Sequence, residues 1–217
     1  MSFASTHLIG FAAVILRNDV VDVVFVGADV LNGGANAIPW PAGTTAGDQA
    51  IIMVVGNATP SWTGFSGWTT NQSAVAGLSG SYLWLYSKVS LSAAEVSSAP
   101  SYTGASYGAC CVAVYRNGAA ITMQSTLTSD GGATADIPGF VKDAASNRIV
   151  SIFCDRDAGG SLTAPSGFTG RREEAGTYFD FGVADVAAVD YTDSATVTWT
   201  NTASTYNQCA YLYEITV

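Results

Sequence analysis

Ala50-Ile51-Ile52-Met53-Val54-Val55, continued through Asn57 and Pro60 to the corner Ser66-Gly67-Trp68-Thr69, is the stretch that decides the fold. Side chains of a strand alternate between its two faces, so an unbroken apolar run belongs to a strand covered on both sides, deep in a sandwich. The order returns later in the chain. Arg148-Ile149-Val150-Ser151-Ile152-Phe153-Cys154 leads through Pro165 to Ser166-Gly167-Phe168-Thr169. An apolar strand followed by a Ser, Gly, aromatic, Thr corner therefore occurs twice. This predicts two related halves, residues 47–118 and 147–217.

The flanking segments extend the pattern. Tyr82, Trp84, Tyr86 and Lys88 alternate with Leu83, Leu85 and Val89, and Tyr178 to Val186 takes the same place in the second half. Ser92-Ala93-Ala94-Glu95 is a capping signal for a single helical turn. Ala109 to Arg116 is a further apolar strand, Ala119 to Thr128 continues as strand, and the chain closes on a strand running from Cys209 to Ile215. Val197 and Trp199 alternate with Thr196, Thr198 and Thr200, the pattern of one buried and one wet face. About ten to twelve strands in two halves predict an all-β, jelly-roll-like β-sandwich. The alternative, two separate domains of roughly five strands each, leaves edges and apolar faces that closure of the halves would bury. The sandwich is assigned to residues 47–217. Residues 1–46 are set apart as N-terminal strands, Phe11 to Leu16 and Val20 to Val26 around the turn Arg17-Asn18-Asp19, and as a possible anchoring segment.

Composition supports a packed core: of 217 residues, 48% are hydrophobic and 12% charged. Eight basic against 17 acidic residues give a net charge of -9, which disfavours nucleic acid and anionic membrane as partners. No run is long enough to span a membrane as a helix. Leu8 to Leu16 is apolar, but its first basic residue, Arg17, follows it, the wrong order for a secretory signal, and it reads as a strand. Cys110, Cys111, Cys154 and Cys209 lie in apolar strands without metal-ligand spacing. They read as buried free thiols, with a disulfide from Cys110 or Cys111 to Cys209 as the other arrangement.

Catalytic signals are sparse. His7, the only histidine, sits in the N-terminal stretch, and neither a phosphate-binding loop nor a zinc-protease motif occurs. Asp155-Arg156-Asp157 and the pair Asp190 and Asp193 are acidic turns. Such oxygen-rich loops can hold Ca²⁺ or, as a pair, cleave glycosides, but the usual ligand ladder is missing. Gly170-Arg171-Arg172-Glu173-Glu174 reads as a solvated turn. The expectation is a non-enzyme without cofactor or metal. Aromatic residues are the better signal, because flat rings stack on sugars and anchor protein interfaces. Trp68 and Phe168 occupy equivalent corners and read as core plugs. Trp40 lies between prolines, and Trp62 has Leu162 as its non-aromatic counterpart. Trp40 and Trp62 are the expected ligand-binding residues.

The order Gly47-Asp48, apolar strand, Ser66-Gly67-Trp68-Thr69, Tyr86-Ser87-Lys88-Val89, Tyr102-Thr103 and Val114-Tyr115-Arg116 resembles a β-sandwich module of tailed-phage and phage-like gene-transfer-particle virion proteins. The second half matches through Pro165-Ser166-Gly167-Phe168-Thr169 and Trp199-Thr200; it lacks the Gly-Asp pair and carries Asp185-Val186 in place of Lys-Val. The resemblance covers residues 47–217 and transfers no catalytic residue. It implies a spike, fibre head or decoration subunit, assembled in the bacterial cytoplasm and displayed on the virion surface. Such a subunit would bind host-surface polysaccharide as a homo- or hetero-oligomer among other virion proteins. The alternative is a purely structural capsid or tail component connecting other subunits.

Overall fold

The computed structural model describes residues 21–217, apart from 34, 35, 79, 106, 107, 130, 131, 157, 158 and 203–206, and for residues 36, 77 and 129 the backbone alone. His7, the strands read over residues 8–16 and their hairpin, and Asp157 lie outside the described residues. The first part of the chain forms β1 (Val24–Asn32), β2 (Asn36–Ala37), β3 (Gln49–Gly56), β4 (Ser61–Thr63), β5 (Thr69–Leu78), β6 (Ser81–Lys88), the short helix α1 (Ala93–Ser97), β7 (Ser101–Thr103) and β8 (Gly108–Arg116). The second part forms β9 (Ala120–Ser129), β10 (Thr134–Ile137), β11 (Ser146–Asp155), β12 (Leu162–Thr163), β13 (Thr169–Glu174), β14 (Asp180–Ala187), a 3-10 turn at Ala188–Asp190, β15 (Val197–Asn201) and β16 (Gln208–Thr216).

These strands make four antiparallel sheets. Two have five strands, in the orders β1-β8-β3-β6-β5 and β13-β14-β11-β16-β9, and two have three, β2-β7-β4 and β10-β15-β12. Adding eight to each label of the first pair of sheets reproduces the second pair. Within each part the pairings of first with eighth, third with sixth and second with seventh strand are those of a jelly roll. The fifth strand departs from that scheme by pairing with the sixth on the long sheet.

The molecule is an all-β sandwich in which the five-stranded sheets face one another. β1 lies against β13 and β5 against β9 and β16, so β3 and β11, the two strands quoted first above, are the central strands of the facing sheets. Alternation then assigns every residue of these strands. Ile51, Met53, Val55, Cys111 and Ala113 meet Val150, Ile152, Cys154, Tyr211 and Tyr213 in the inner core. Ala50, Ile52, Val54, Cys110 and Val112 point outward beneath the sheet β2-β7-β4. Ile149, Phe153, Ala210 and Leu212 point outward beneath β10-β15-β12. A strand covered on both faces has no place for polar alternation, which is why the sequence of β3 is apolar throughout.

Three expectations change. Sixteen strands occur among the described residues, more than the ten to twelve expected, because two- and three-residue strands leave no periodic trace. Residues 1–46 are not wholly apart: β1 pairs with β8 over its length and β2 with β7, so both belong to the first pair of sheets. The sequence similarity begins at residue 47 because β1 and its topological equivalent β9 share no side-chain pattern; pairing alone defines them. The charge run at Gly170 to Glu174 is the edge strand β13, not a turn, with Arg171 turned toward β14. The capping signal at Ser92 forms as read, with Ser92 and Glu95 bonding each other's backbone N–H. All four cysteines are buried free thiols; Cys154 and Cys209 face each other across β11 and β16.

Polar ties cross between the facing sheets. The Tyr115 hydroxyl on β8 donates to Asp185 on β14 at 3.1 Å, and Arg171 grips the same carboxylate with two bonds of 2.9 Å. Arg148 adds a third partner at 3.1 Å and donates to the Val23 carbonyl at 3.0 Å. Asp185 is fully buried, so its charge is tolerated only because two guanidinium groups and a phenol surround it. On the other side of the sandwich Asn71 donates to the Tyr213 hydroxyl at 3.3 Å. Removing the central carboxylate would strand two partly buried cations. Asp185→Ala is expected to destabilise the fold by about 3–5 kcal/mol, read as a lower denaturant midpoint at unchanged slope.

Candidate functional site

The two outer layers share an order of strands but are filled differently, and the difference creates the site. In the first, Trp62 on β4 packs edge-on to Phe65, Trp84 and Tyr86 with ring centroids 5.1 to 5.7 Å apart. Trp40 stacks on Trp68 at 6.3 Å and donates its indole N–H to the Glu95 carbonyl at 2.8 Å. Both residues expected to bind ligand are thus half-buried members of an aromatic cluster, their rings engaged with other side chains. Trp68 is buried, as its corner position suggested.

Glu95 closes this layer. Its carboxylate accepts from Trp68 Nε1 at 2.8 Å, Lys88 Nζ at 2.7 Å and the Ser92 N–H and hydroxyl. Burial alone would raise its pKa, but the bonds from Lys88, Ser92 and Trp68 outweigh burial and hold it down at about 2. Asp48 behaves alike: burial is outweighed by its bidentate pair with Arg116 and by the Thr45 N–H, and its pKa is lowered. Both carboxylates serve structure.

In the second outer layer smaller residues stand at the matching places. The strand register sets Leu162 opposite Asn201 where Trp62 stands opposite Tyr102. The corners are alike, with Gly67 and Gly167 both at positive φ (75° and 83°) and the N–H groups of Trp68 and Phe168 bonding back to Phe65 and Pro165. Leucine, proline and phenylalanine thus replace Trp62, Phe65 and Trp68. A pocket of about 590 Å³ opens between β12, the corner, the 3-10 turn and β15. That volume falls within the range of small-molecule sites, ~300–1,000 Å³. Phe168 and Tyr191, perpendicular to each other with centroids 6.5 Å apart, supply aromatic surface. Tyr191 is held by its hydroxyl, which accepts the Phe140 N–H at 3.1 Å, and by Lys142 lying 5.8 Å from its ring centroid. Thr163, Ser166, Thr196 and Thr200 line the rest with Asp190, and among the described residues their side chains make no protein hydrogen bond. Polar groups with no internal partner around an aromatic wall can serve a polyhydroxyl ligand.

The second half also buries a polar cluster at one end of β11. Where the first half pairs Gly56 with Tyr82 and Gly108, the second pairs Asp155 with Asp180 and Gln208. The Asn201 amide donates to both carboxylates, at 3.0 and 3.1 Å, and Gln208 donates to Asp155 at 3.3 Å. Burial is the main cause raising the Asp180 pKa, to about 6; the bonds from Asn201 and the Gly176 N–H pull it back, and Asp155 adds to the rise. Among the described residues no group of three or more His, Cys, Asp or Glu side chains is placed to hold a metal ion. Of the acidic turns, exposed Asp193 pairs with half-buried Lys142 and Asp190 borders the pocket. Sequence reasoning missed this pocket because its signal is the loss of aromatic bulk at Leu162 and Pro165, which looks like nothing until the first half shows what fills the space.

A β-sandwich with a hydroxyl-lined pocket is what fold and site define. No protein-family model, curated protein or solved structure matches this chain.

Because the pKa of Asp180 is higher in the folded chain than the ordinary 3.8, its contribution to stability is complete below about pH 4 and is lost as pH rises through about 6. Asp48 and Glu95, with lowered pKa values, act in the opposite sense, losing their contribution as pH falls, and do so mainly near and below the acid edge of that window. Denaturant unfolding between pH 4.5 and 7.5 is expected to show a decline on the order of 2–3 kcal/mol. Asp180→Asn should flatten the slope, whatever its effect on absolute stability.

Proposed function

We propose that this chain is a non-enzymatic surface protein of a phage or phage-like particle, a spike, fibre head or decoration subunit, that binds host-surface polysaccharide. The observation that carries the reading is the open pocket of the second outer layer, built of aromatic rings, unengaged hydroxyls and one carboxylate. A glycosidase needs two carboxylates flanking the bond to be cleaved, and among the described residues the pocket lining presents one, Asp190. This supports binding over hydrolysis. The resemblance of residues 47–217 to virion modules supports the setting. Weak contacts with single sugars gain from display in several copies, so the reading includes oligomeric assembly alongside other virion proteins.

A purely structural role is the second reading. It is favoured by β9, an uncharged ten-residue strand that among the described residues is paired on one side only, with β16. Such an edge is a template for strand addition by another subunit. The two readings part on one measurement, glycan-array binding by the isolated chain.

Ser166 is exposed in the corner at the pocket mouth, so Ser166→Trp fills the pocket without touching the core. Array binding that survives in the native chain and disappears in this variant, with the melting temperature unchanged, is the expected result. Trp62→Ala should instead cost roughly 3 kcal/mol of stability while leaving glycan binding in place. A native chain that ignores every host polysaccharide offered would end the glycan reading and leave the structural one.

A further inference from the structure

A second, smaller cleft lies on the seam between the two halves, and its chemistry differs from that of the pocket. It has a volume of about 300 Å³ and is lined by Ser81 from the first half and Arg156, Tyr178 and Phe179 from the second. Among the described residues every lysine and arginine but one has a carboxylate within ion-pair distance: Lys88, Arg116, Lys142, Arg148, Arg171 and Arg172 are all paired. Arg156 is the exception. In a chain with a net charge of -9, an arginine left without a carboxylate and held in a cleft is a feature to be explained.

The surroundings position this guanidinium. Gly80, at a φ of +80°, turns the β5–β6 hairpin so that its α-carbon faces Arg156, and a β-carbon there would lie 3.4 Å from Nη1. The hairpin of the first half thus forms one wall of the cleft. Tyr178, 47% exposed, forms the other with Phe179 beneath it. Among the described residues the acidic groups that flank the cleft residues in sequence are Asp155 and Asp180. Both are buried and hydrogen-bonded inward to Asn201, so neither side chain is turned out to the guanidinium as a salt-bridge partner.

We propose that this seam cleft binds an anionic group, the carboxylate or phosphate of a small polar ligand, with Arg156 as the charged donor and the Tyr178 ring as the platform beside it. A planar guanidinium presents paired N–H donors that match either oxyanion, and it stacks readily beside an aromatic ring. The site is independent of the hydroxyl-lined pocket, and the proposal stands whether or not that pocket takes a glycan. It also gives the seam a role beyond packing, since neither half alone supplies all its walls.

The test is a nuclear magnetic resonance titration of the intact chain with glucuronate, glucose 1-phosphate and glucose, repeated on Arg156→Gln, Tyr178→Ala and Ser166→Trp. One or both anions should move the amide signals of Gly80, Ser81 and Phe179, while glucose leaves them in place. Response to glucuronate alone identifies a carboxylate ligand, and response to glucose 1-phosphate alone a phosphate. Arg156→Gln should weaken the anion about tenfold or more, as expected for loss of a charge-assisted bond. Tyr178→Ala should weaken it less, and Ser166→Trp not at all. The proposal is overturned if neither anion moves these signals, if glucose moves them equally, if Arg156→Gln binds as the native chain does, or if Ser166→Trp abolishes the effect.

Discussion

The structure depends on one constraint: the central strands β3 and β11 are apolar on both faces, so each needs two covers. One cover is common to both. The facing five-stranded sheets bury Ile51, Met53 and Val55 against Val150, Ile152 and Cys154. The other cover is separate for each, a three-stranded sheet laid over the outward residues. Removing water from both faces of two sheets is the dominant favourable term available to a chain with so few charges. The four-layer arrangement follows from it. The contacts between the facing sheets, β1 with β13 and β5 with β9, are reciprocal when strands are matched by their order in the sheets.

A seam built this way is apolar at its centre and must manage its polar edges. It does so with few groups. Tyr115 and Tyr213, each from the last strand of its own sheet system, reach across to Asp185 and Asn71 of the other. Burying a carboxylate at such a place costs more than a single partner returns, and Asp185 accordingly has three. The same economy of charge makes Arg156 conspicuous, because the fold otherwise spends every described cation on a carboxylate.

Once both long sheets are covered, the outer layers are free to differ, and there the two halves part in chemistry. The first is filled with tryptophan, tyrosine and phenylalanine and locked by Glu95; it is an extension of the core. The second substitutes leucine and proline, leaving space beside Phe168 and Tyr191 that is lined with hydroxyls. At the end of β11 glycine and tyrosine give way to Asp155, Asp180 and Gln208. The outer layer with fewer large rings is therefore the one with room for a ligand.

Local sequence determined much of this. The runs at 50–55 and 149–154 specified strands buried on both faces; alternation divided β6 between two faces and gave β15 one buried face; Ser92 and Glu95 specified a capped turn; the two Ser-Gly-aromatic-Thr corners specified like bends. Each is a short-range pattern enforced by backbone periodicity or a single turn. Tertiary structure alone decided the rest. Membership of β1 and β9 rests on hydrogen bonds to β8 and β16 that no side-chain pattern records. The burial of Trp40 and Trp62 depends on rings brought from β6, β7 and the first corner, so aromatic residues in loop sequence read as exposed until those partners are in place. The pocket and the seam cleft are spaces between elements, defined by what does not fill them, and the reason no linear reading finds them is that empty volume has no residue of its own.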